Sequence, residues 1–512
     1  MEPQFPLAPV ADLPWLGYAS LLVIAVYFRF SRVLTIRNLD LILTLLIASA
    51  VVIASYFRDV PAFARVDESP SAAVEVEPAS PATVLPAVPD NAASEAVSVE
   101  RPMVRVHHPA YTWSSLALVV LAVLLVVRLL FDESLTRRPR LDQNLNSAGL
   151  TFLCIPAFAI LAFGVFLKPA PVTNVKAVES GRALLQRREV TVNPSTVQSD
   201  IPAPTETLIA AGGAVVAQLS GTLPNSVSVD TGETRNTELL VARILVVTAH
   251  LVIILGLLYI GRQHFSSIQL GVAMSCLYLL LPCTAANVHK LSHVLPAACL
   301  IWAFASYRKP AVAGILLGLA CGTLFFAIFL LPLWAAFYGR HGAKRFGTSV
   351  LGVVVVLVTC LMMISGDADS FFNRIVTSTN WTVYRLLDDT LSISQTPVSH
   401  LFIRIPMAAI FFVMLTAMTV LPRPRNLENL LANSTALVVA AQMWYPDDIG
   451  TYVRWYMPLF LLVIFRPRLD RFMPPDMIER QATSAPENIS AGLPSTVAMS
   501  RLSLYRSNIV KP

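Results

Sequence analysis

Residues 310–338 read PAVAGILLGLACGTLFFAIFLLPLWAAFY, a run with no charged residue in it. Tyr307-Arg308-Lys309 precedes it, and Gly339-Arg340-His341-Gly342-Ala343-Lys344-Arg345 follows it. A helix needs about 20 apolar residues to cross a hydrocarbon core roughly 30 Å thick. The run is too long for one upright pass and short for two. Basic residues gather in the loops on one side of a membrane, so both flanks belong on the same side. The run must go in and come back, as a short helical pair. Gly314, Gly318 and Gly322 allow close helix contact, and Pro332 permits a break.

The rest of the chain has the same character. Of its 512 residues 55% are hydrophobic and 14% charged, and mean hydropathy is +0.63. Soluble domains carry roughly 25% charged residues. Apolar segments recur near 14–30, 40–57, 112–131, 148–167, 239–260, 268–286, 293–306, 347–365, 401–421, 428–444 and 451–466. Each is read as a helix, because an open strand leaves its backbone unsatisfied in lipid. The predicted fold class is all-α: a polytopic transmembrane helical bundle of about 12–13 spans in a lipid bilayer.

The loops orient it. Arg29, Arg32 and Arg37, then Arg137, Arg138 and Arg140, Arg262, Arg308 and Lys309, Arg340, Lys344 and Arg345, Arg423 and Arg425, and Arg466, Arg468 and Arg471 follow alternate spans. They share one side if the N-terminus is outside and the C-terminus cytoplasmic, as a multi-pass protein of the cell (inner or plasma) membrane. The net charge of +6 and pI near 9.0 are then topogenic, and no nucleic-acid partner is expected. Residues 1–57 hold the first spans, and 58–111 form an outer loop with a low-complexity, disordered middle. Two spans follow in 112–167. In the outer loop 168–238, Val175, Val178, Leu184 and Leu185, and the run 208–219, suggest surface helices, with a floppy linker as the alternative. Residues 239–466 form the core, and 467–512 a disordered cytoplasmic tail. The N-terminus lacks a basic n-region, so no cleaved signal peptide is expected. The six cysteines lie in or beside apolar segments without CxxC or Cys/His clustering. They read as packing residues, and neither a metal site nor a cofactor is expected.

Ionisable residues within spans are candidates for function. Arg128, near the inner end of its span, reads as a snorkelling side chain. His250 reads as a histidine bonded to a neighbouring helix. Arg243, Arg404 and Arg454 lie at outer span ends, beside His289, Lys290 and His293 in a tight outer turn. Each arginine alone is an interface anchor; together they suit a phosphate or pyrophosphate headgroup, which guanidinium groups bind bidentately. Candidate acids and bases are Asp59, directly after the second span, and the Asp447-Asp448 pair. A carboxylate at a membrane boundary can gain basicity enough to accept a hydroxyl proton. Trp444, Tyr445, Tyr452, Trp455 and Tyr456 surround the pair, as an interfacial aromatic belt also would.

The run from His293 (His-Val-Leu-Pro-Ala-Ala-Cys-Leu-Ile-Trp-Ala), the turn Tyr307–Pro310, the glycine-bearing run after it, Phe329-Leu-Leu-Pro-Leu-Trp334 and the basic turn that follows resemble the core of GT-C-fold membrane glycosyltransferases. The resemblance is to the DUF2029/glycosyltransferase-87 type, similar to polyprenol-phosphate-mannose-dependent mannosyltransferases. It extends to the aromatic final span, Tyr452–Arg468. It implies a GT-C-like fold, a polyprenyl-phosphate sugar donor, and inverting transfer on the outer face. A catalytic acid in the first outer loop falls at Asp59, and Arg243, His293, Arg454 and Lys290 are the implied donor ligands. The chain departs from the pattern in having neither Lys nor Pro in the middle of the split pair, where it reads Thr323-Leu-Phe-Phe-Ala-Ile. A transporter or lipid flippase, with its broken helices, and a non-catalytic assembly protein are the alternatives.

Overall fold

The structure is a computed structural model of the chain. It describes residues 12–31, 33–58, 61–65, 103–132, 143–189, 201–221, 232–286, 288–367, 370–372, 374–375, 401–421, 425–444, 452–467, 469 and 472–475. The helices are α1 (Asp12–Tyr27), α2 (Ile36–Arg58), α3 (Pro109–Leu130), α4 (Ser147–Leu167), α5 (Val172–Gln186), α6 (Pro204–Leu219), α7 (Gly232–Gln263) and α8 (Ile268–Leu280). Then come α9 (Pro282–Ala286), α10 (Leu291–Ala305), α11 (Pro310–Cys321), α12 (Leu330–Ile364), α13 (Leu401–Val420), α14 (Leu427–Met443) and α15 (Val453–Phe465).

The protein is an all-α helical membrane bundle. Five helices, α2, α3, α4, α7 and α12, belong to stretches long and apolar enough to cross a membrane unaided, and six shorter apolar helices lie among them. One apolar core runs from Val23 to Leu469. Outside it, Phe152, Ile155 and Phe163 of α4 and Leu351 and Val355 of α12 are exposed. In water such surfaces would drive association; in a bilayer they face a solvent as apolar as themselves. The apolar segments at 40–57, 148–167 and 428–444 coincide with α2, α4 and α14. The segment 268–286 is instead broken at Leu281. Pro282 follows, and its ring pushes the preceding residue out of the helical region.

The stretch 310–338 forms the helical pair. α11 rises to Gly322, a 3-10 turn spans Phe325–Phe329, and the first part of α12 returns. At Gly339 (φ 71°, ψ −171°) the chain kinks and rises again. The positive φ is one that a side chain rarely tolerates. A Cβ at Gly314 would lie 2.6 Å from Phe346 O, one at Gly318 3.0 Å from Val353 Cβ, and one at Gly322 against Leu357. The partner number climbs as the glycine number climbs, so α11 and the second part of α12 run parallel. The segment between them must therefore run back. The Tyr338 hydroxyl donates to Tyr307 O at 2.7 Å, which levels the two feet of the hairpin. At the other end, Phe326 packs edge-on against Tyr452 and Trp455, where α15 begins.

That tip belongs to the loop end of the bundle. Both helices expected in 168–238 are present. α5 and α6 share a small core of Ala177, Val178, Ala210, Ala214 and Ala217 with Val241 and Ala242 of α7. Leu185, expected on the apolar stripe, is exposed. The first loop departs from an all-helical reading at its edges, where β1 (Pro61–Arg65) and β2 (Met103–His107) pair antiparallel. Residues 66–102 lie outside the described residues, as do nearly all of 467–512.

The opposite, basic end corrects the reading of Arg128. This side chain does not snorkel. Its Nε and Nη2 reach Asp40 Oδ1 and Oδ2 at 2.7 and 2.8 Å, and its Nη1 reaches Asp132 Oδ1 at 2.8 Å. Asp132 also pairs with Arg466, which lies 2.6 Å from Glu428 Oε1. The five residues form a ladder of alternating charge joining α2, α3, α14 and the chain after α15. Asp40, Asp132 and Arg466 are at most 3% exposed, so the arginine finds its partners inside the bundle, with no need to reach water. The chain after α15 also bonds α14 at this end: Leu469 N–H donates to Glu428 Oε2 and Leu427 N–H to Phe472 O.

Candidate functional site at the loop end

The turn 288–290 and the start of α10 are held from three directions. Asn174 of α5 donates to His289 O at 2.7 Å and accepts the Leu291 N–H at 3.3 Å, supplying one of the N–H partners that a helix start lacks. Lys168, directly after α4, donates from Nζ to Ala285 O and Ala286 O at 3.3 and 2.9 Å, capping the last carbonyls of α9. His250 of α7 bonds Val288 O through Nε2 at 3.2 Å and the Tyr278 hydroxyl through Nδ1 at 2.8 Å. This is the helix-bonded histidine that the sequence suggested.

On this frame three of the expected donor ligands converge. His293 stacks on Tyr452, with ring centroids 5.0 Å apart and planes 21° apart. Gln442 fixes Tyr452 by donating to its carbonyl at 3.2 Å. Arg454, 2% exposed, acts electrostatically on His250, His289 and His293. Lys290 and Arg58 also act on His293. The Nδ1 atoms of His289 and His293 have no hydrogen-bond partner among the described residues. The result is a cationic cluster next to the aromatic tip of the hairpin.

Arg243 does not join this group directly. Its Nη2 donates to Lys168 O at 3.4 Å and its guanidinium lies over the Phe166 ring, 5.9 Å from the centroid. It braces the end of α4, which in turn carries Lys168. Arg404's side chain, Asp59, Asp447 and Asp448 lie outside the described residues. Arg58, the chain neighbour of Asp59, is the end of α2 whose charge acts on His293. Sequence reasoning missed Lys168 and Asn174. Lys168 follows a span and precedes Pro169, the ordinary look of an interface anchor; Asn174 carries no signal in sequence.

Burial, and then the charges of Lys168, Lys290 and Arg454, push His289 down to about 3. It is neutral in the folded protein, whereas the unfolded chain takes up a proton near 6.5. The folded state binds fewer protons, so stability falls as pH drops below 6.5. The melting temperature should decline between pH 6.5 and about 5, above most carboxylate titration, and His289→Gln should make that decline shallower. An unchanged slope would remove His289 as its source.

Among the described residues no group of three or more His, Cys, Asp or Glu is placed to hold a metal ion. No family model matches the chain, and no curated protein or solved structure matches it either.

Proposed function

We propose that this membrane protein is a glycosyltransferase of GT-C-like type, transferring a sugar from a polyprenyl-phosphate donor to an acceptor on the extracytoplasmic face of the cell membrane. The observation that supports the reading is the convergence of Arg454, His293, Lys290 and His289 beneath the hairpin tip. Arg454 and Lys290 would hold the phosphate, the guanidinium bidentately. Tyr452 and Phe326 would offer ring faces to the sugar or to the first prenyl unit. Asp59 would take the proton of the acceptor hydroxyl, with Asp447 or Asp448 as the alternative base. The acceptor oxygen then bonds to the anomeric carbon as the bond from that carbon to phosphate oxygen breaks. Polyprenyl phosphate leaves with the electron pair, its charge met by the clustered cations.

The test is transfer from a labelled polyprenyl-phosphate sugar by the purified full chain in lipid nanodiscs. Arg454→Gln removes charge-assisted hydrogen bonds, and the rate should fall roughly 10- to 100-fold. Asp59→Asn with full activity would move the base to Asp447 or Asp448. A wild-type chain that transfers no sugar but carries the donor across a sealed vesicle would replace the enzyme with a flippase. Reporter fusions at the two termini test the orientation, with the C-terminus expected on the cytoplasmic side.

A further inference from the structure

The start of α6 sits on the hairpin tip. Thr205 N–H donates to Gly322 O at 3.2 Å, and Thr205 Oγ1 donates to Leu319 O at 2.8 Å. These carbonyls belong to the last turn of α11, where a helix leaves its acceptors unsatisfied. A Cβ at Gly322 would overlap both Thr205 Oγ1 and Leu357 Cδ1, so the clasp is close. The next residue is Glu206, 2% exposed. Its Oε2 accepts the Ala203 N–H at 3.4 Å, and its Oε1 has no hydrogen-bond partner among the described residues.

A buried carboxylate is stable when a cation or several N–H groups face it. The helices against α6 are α5, α7, α10, α11 and α12. Their ionisable groups towards this end are Lys176, Glu179 and Arg182 of α5, Arg235, Glu238 and Arg243 of α7, His293 of α10, Cys321 of α11, and Asp367 after α12. Arg182 pairs with Glu238 at 3.3 Å. None of these sets the ionisation of Glu206. Burial does so, opposed by the Ala203 N–H, and it pushes the carboxyl up to about 7.

We propose that Glu206 is a proton-binding switch on the clasp between α6 and the hairpin. Protonated, it lets α6 seat on the tip. Ionised, its unpartnered oxygen draws the start of α6 towards water and frees the tip. Phe326 on that tip packs against Tyr452, and Tyr452 against His293, so the tip links the clasp to the cationic cluster. The inference rests on the clasp alone and holds whatever chemistry the cluster performs.

The sign follows from linkage. The seated state binds the proton more tightly than the open one, so seating is strongest at low pH. It weakens as pH rises from 4.5 to about 7 and stays weakest above. Hydrogen exchange at the Thr205 amide, measured on the full chain in nanodiscs and corrected for intrinsic rates, reads this directly. Protection should fall by up to about 300-fold over that interval. In Glu206→Gln, which keeps the acceptor for Ala203 without the charge, protection should stay high and flat. Flat protection in the wild type, or the wild-type slope in Glu206→Gln, would overturn the proposal. If Glu206→Gln does not fold, infrared titration of the wild type decides. A protonated-carboxyl band that vanishes together with Thr205 protection supports the switch, and loss of protection without such a band refutes it.

Discussion

Arg128→Met is expected to destabilise the bundle by about 3–5 kcal/mol, the cost of leaving buried charges without their partner. Arg128 bonds both Asp40 and Asp132 through its guanidinium, and its side chain is 10% exposed against 4% and 2% for theirs. Methionine matches the aliphatic stem and removes the charge. Asp132 keeps Arg466, but Asp40 loses a bidentate partner inside the bundle. The double variant Asp40→Leu/Arg128→Met removes both charges together and should recover most of the loss, since an apolar pair of similar volume is often as stable as a buried ion pair. Arg345→Met, at an exposed position on α12, should change stability by less than about 1 kcal/mol. Unfolding in a mixed-micelle denaturant series measures all three. An Arg128→Met midpoint equal to that of Arg345→Met would mean that the ladder contributes nothing to the fold.

The ladder also marks where the sequence stops being readable. Arg128 lies 88 residues from Asp40, and Arg466 lies 334 residues from Asp132. Sequence supplies the height of a charge within a span, through its distance from the polar end. It does not supply the azimuth, which depends on how helices pack. Arg128 at a span end was therefore equally consistent with snorkelling and with a buried pair. The same gap separates Arg243 from Arg454. Both lie at the same height, yet Arg243 turns to Phe166 on α4 and Arg454 turns inward to His250 and His293. His293 and Lys290 were legible because only two residues separate them at the start of α10, leaving little azimuth to choose. The hairpin was legible for a different reason: basic flanks fix topology, and the small-residue spacing fixes which face α11 presents. The break at Leu281 carried its own signal in Pro282, outweighed by the continuous apolar run around it.

That small-residue face yields the second large effect. Gly314→Val is expected to cost at least about 1–3 kcal/mol, the usual range for forcing extra atoms into a packed interface. The new Cβ would lie 2.6 Å from Phe346 O and 3.1 Å from Ser349 Cβ. A backbone carbonyl cannot rotate away as a side chain can, so α11 and α12 must separate. α12 offers its own controls, because Gly347 and Gly352 meet nothing within 4 Å. Gly347→Ala and Gly352→Ala should stabilise by up to about 1 kcal/mol, since alanine is the better helix former. Glycine is thus expected to be indispensable on one helix of the pair and dispensable on the lipid-facing side of the other. The consequence reaches the loop end. Separation of α11 from α12 shifts the tip that carries Phe326 against Tyr452 and Gly322 against Thr205. Gly314→Val should therefore lower the protection of the Thr205 amide at every pH while keeping its pH dependence, whereas Glu206→Gln does the reverse. Protection of Thr205 unchanged in Gly314→Val would show that the tip is held by α6 and α15 alone, independently of the glycine contact below it.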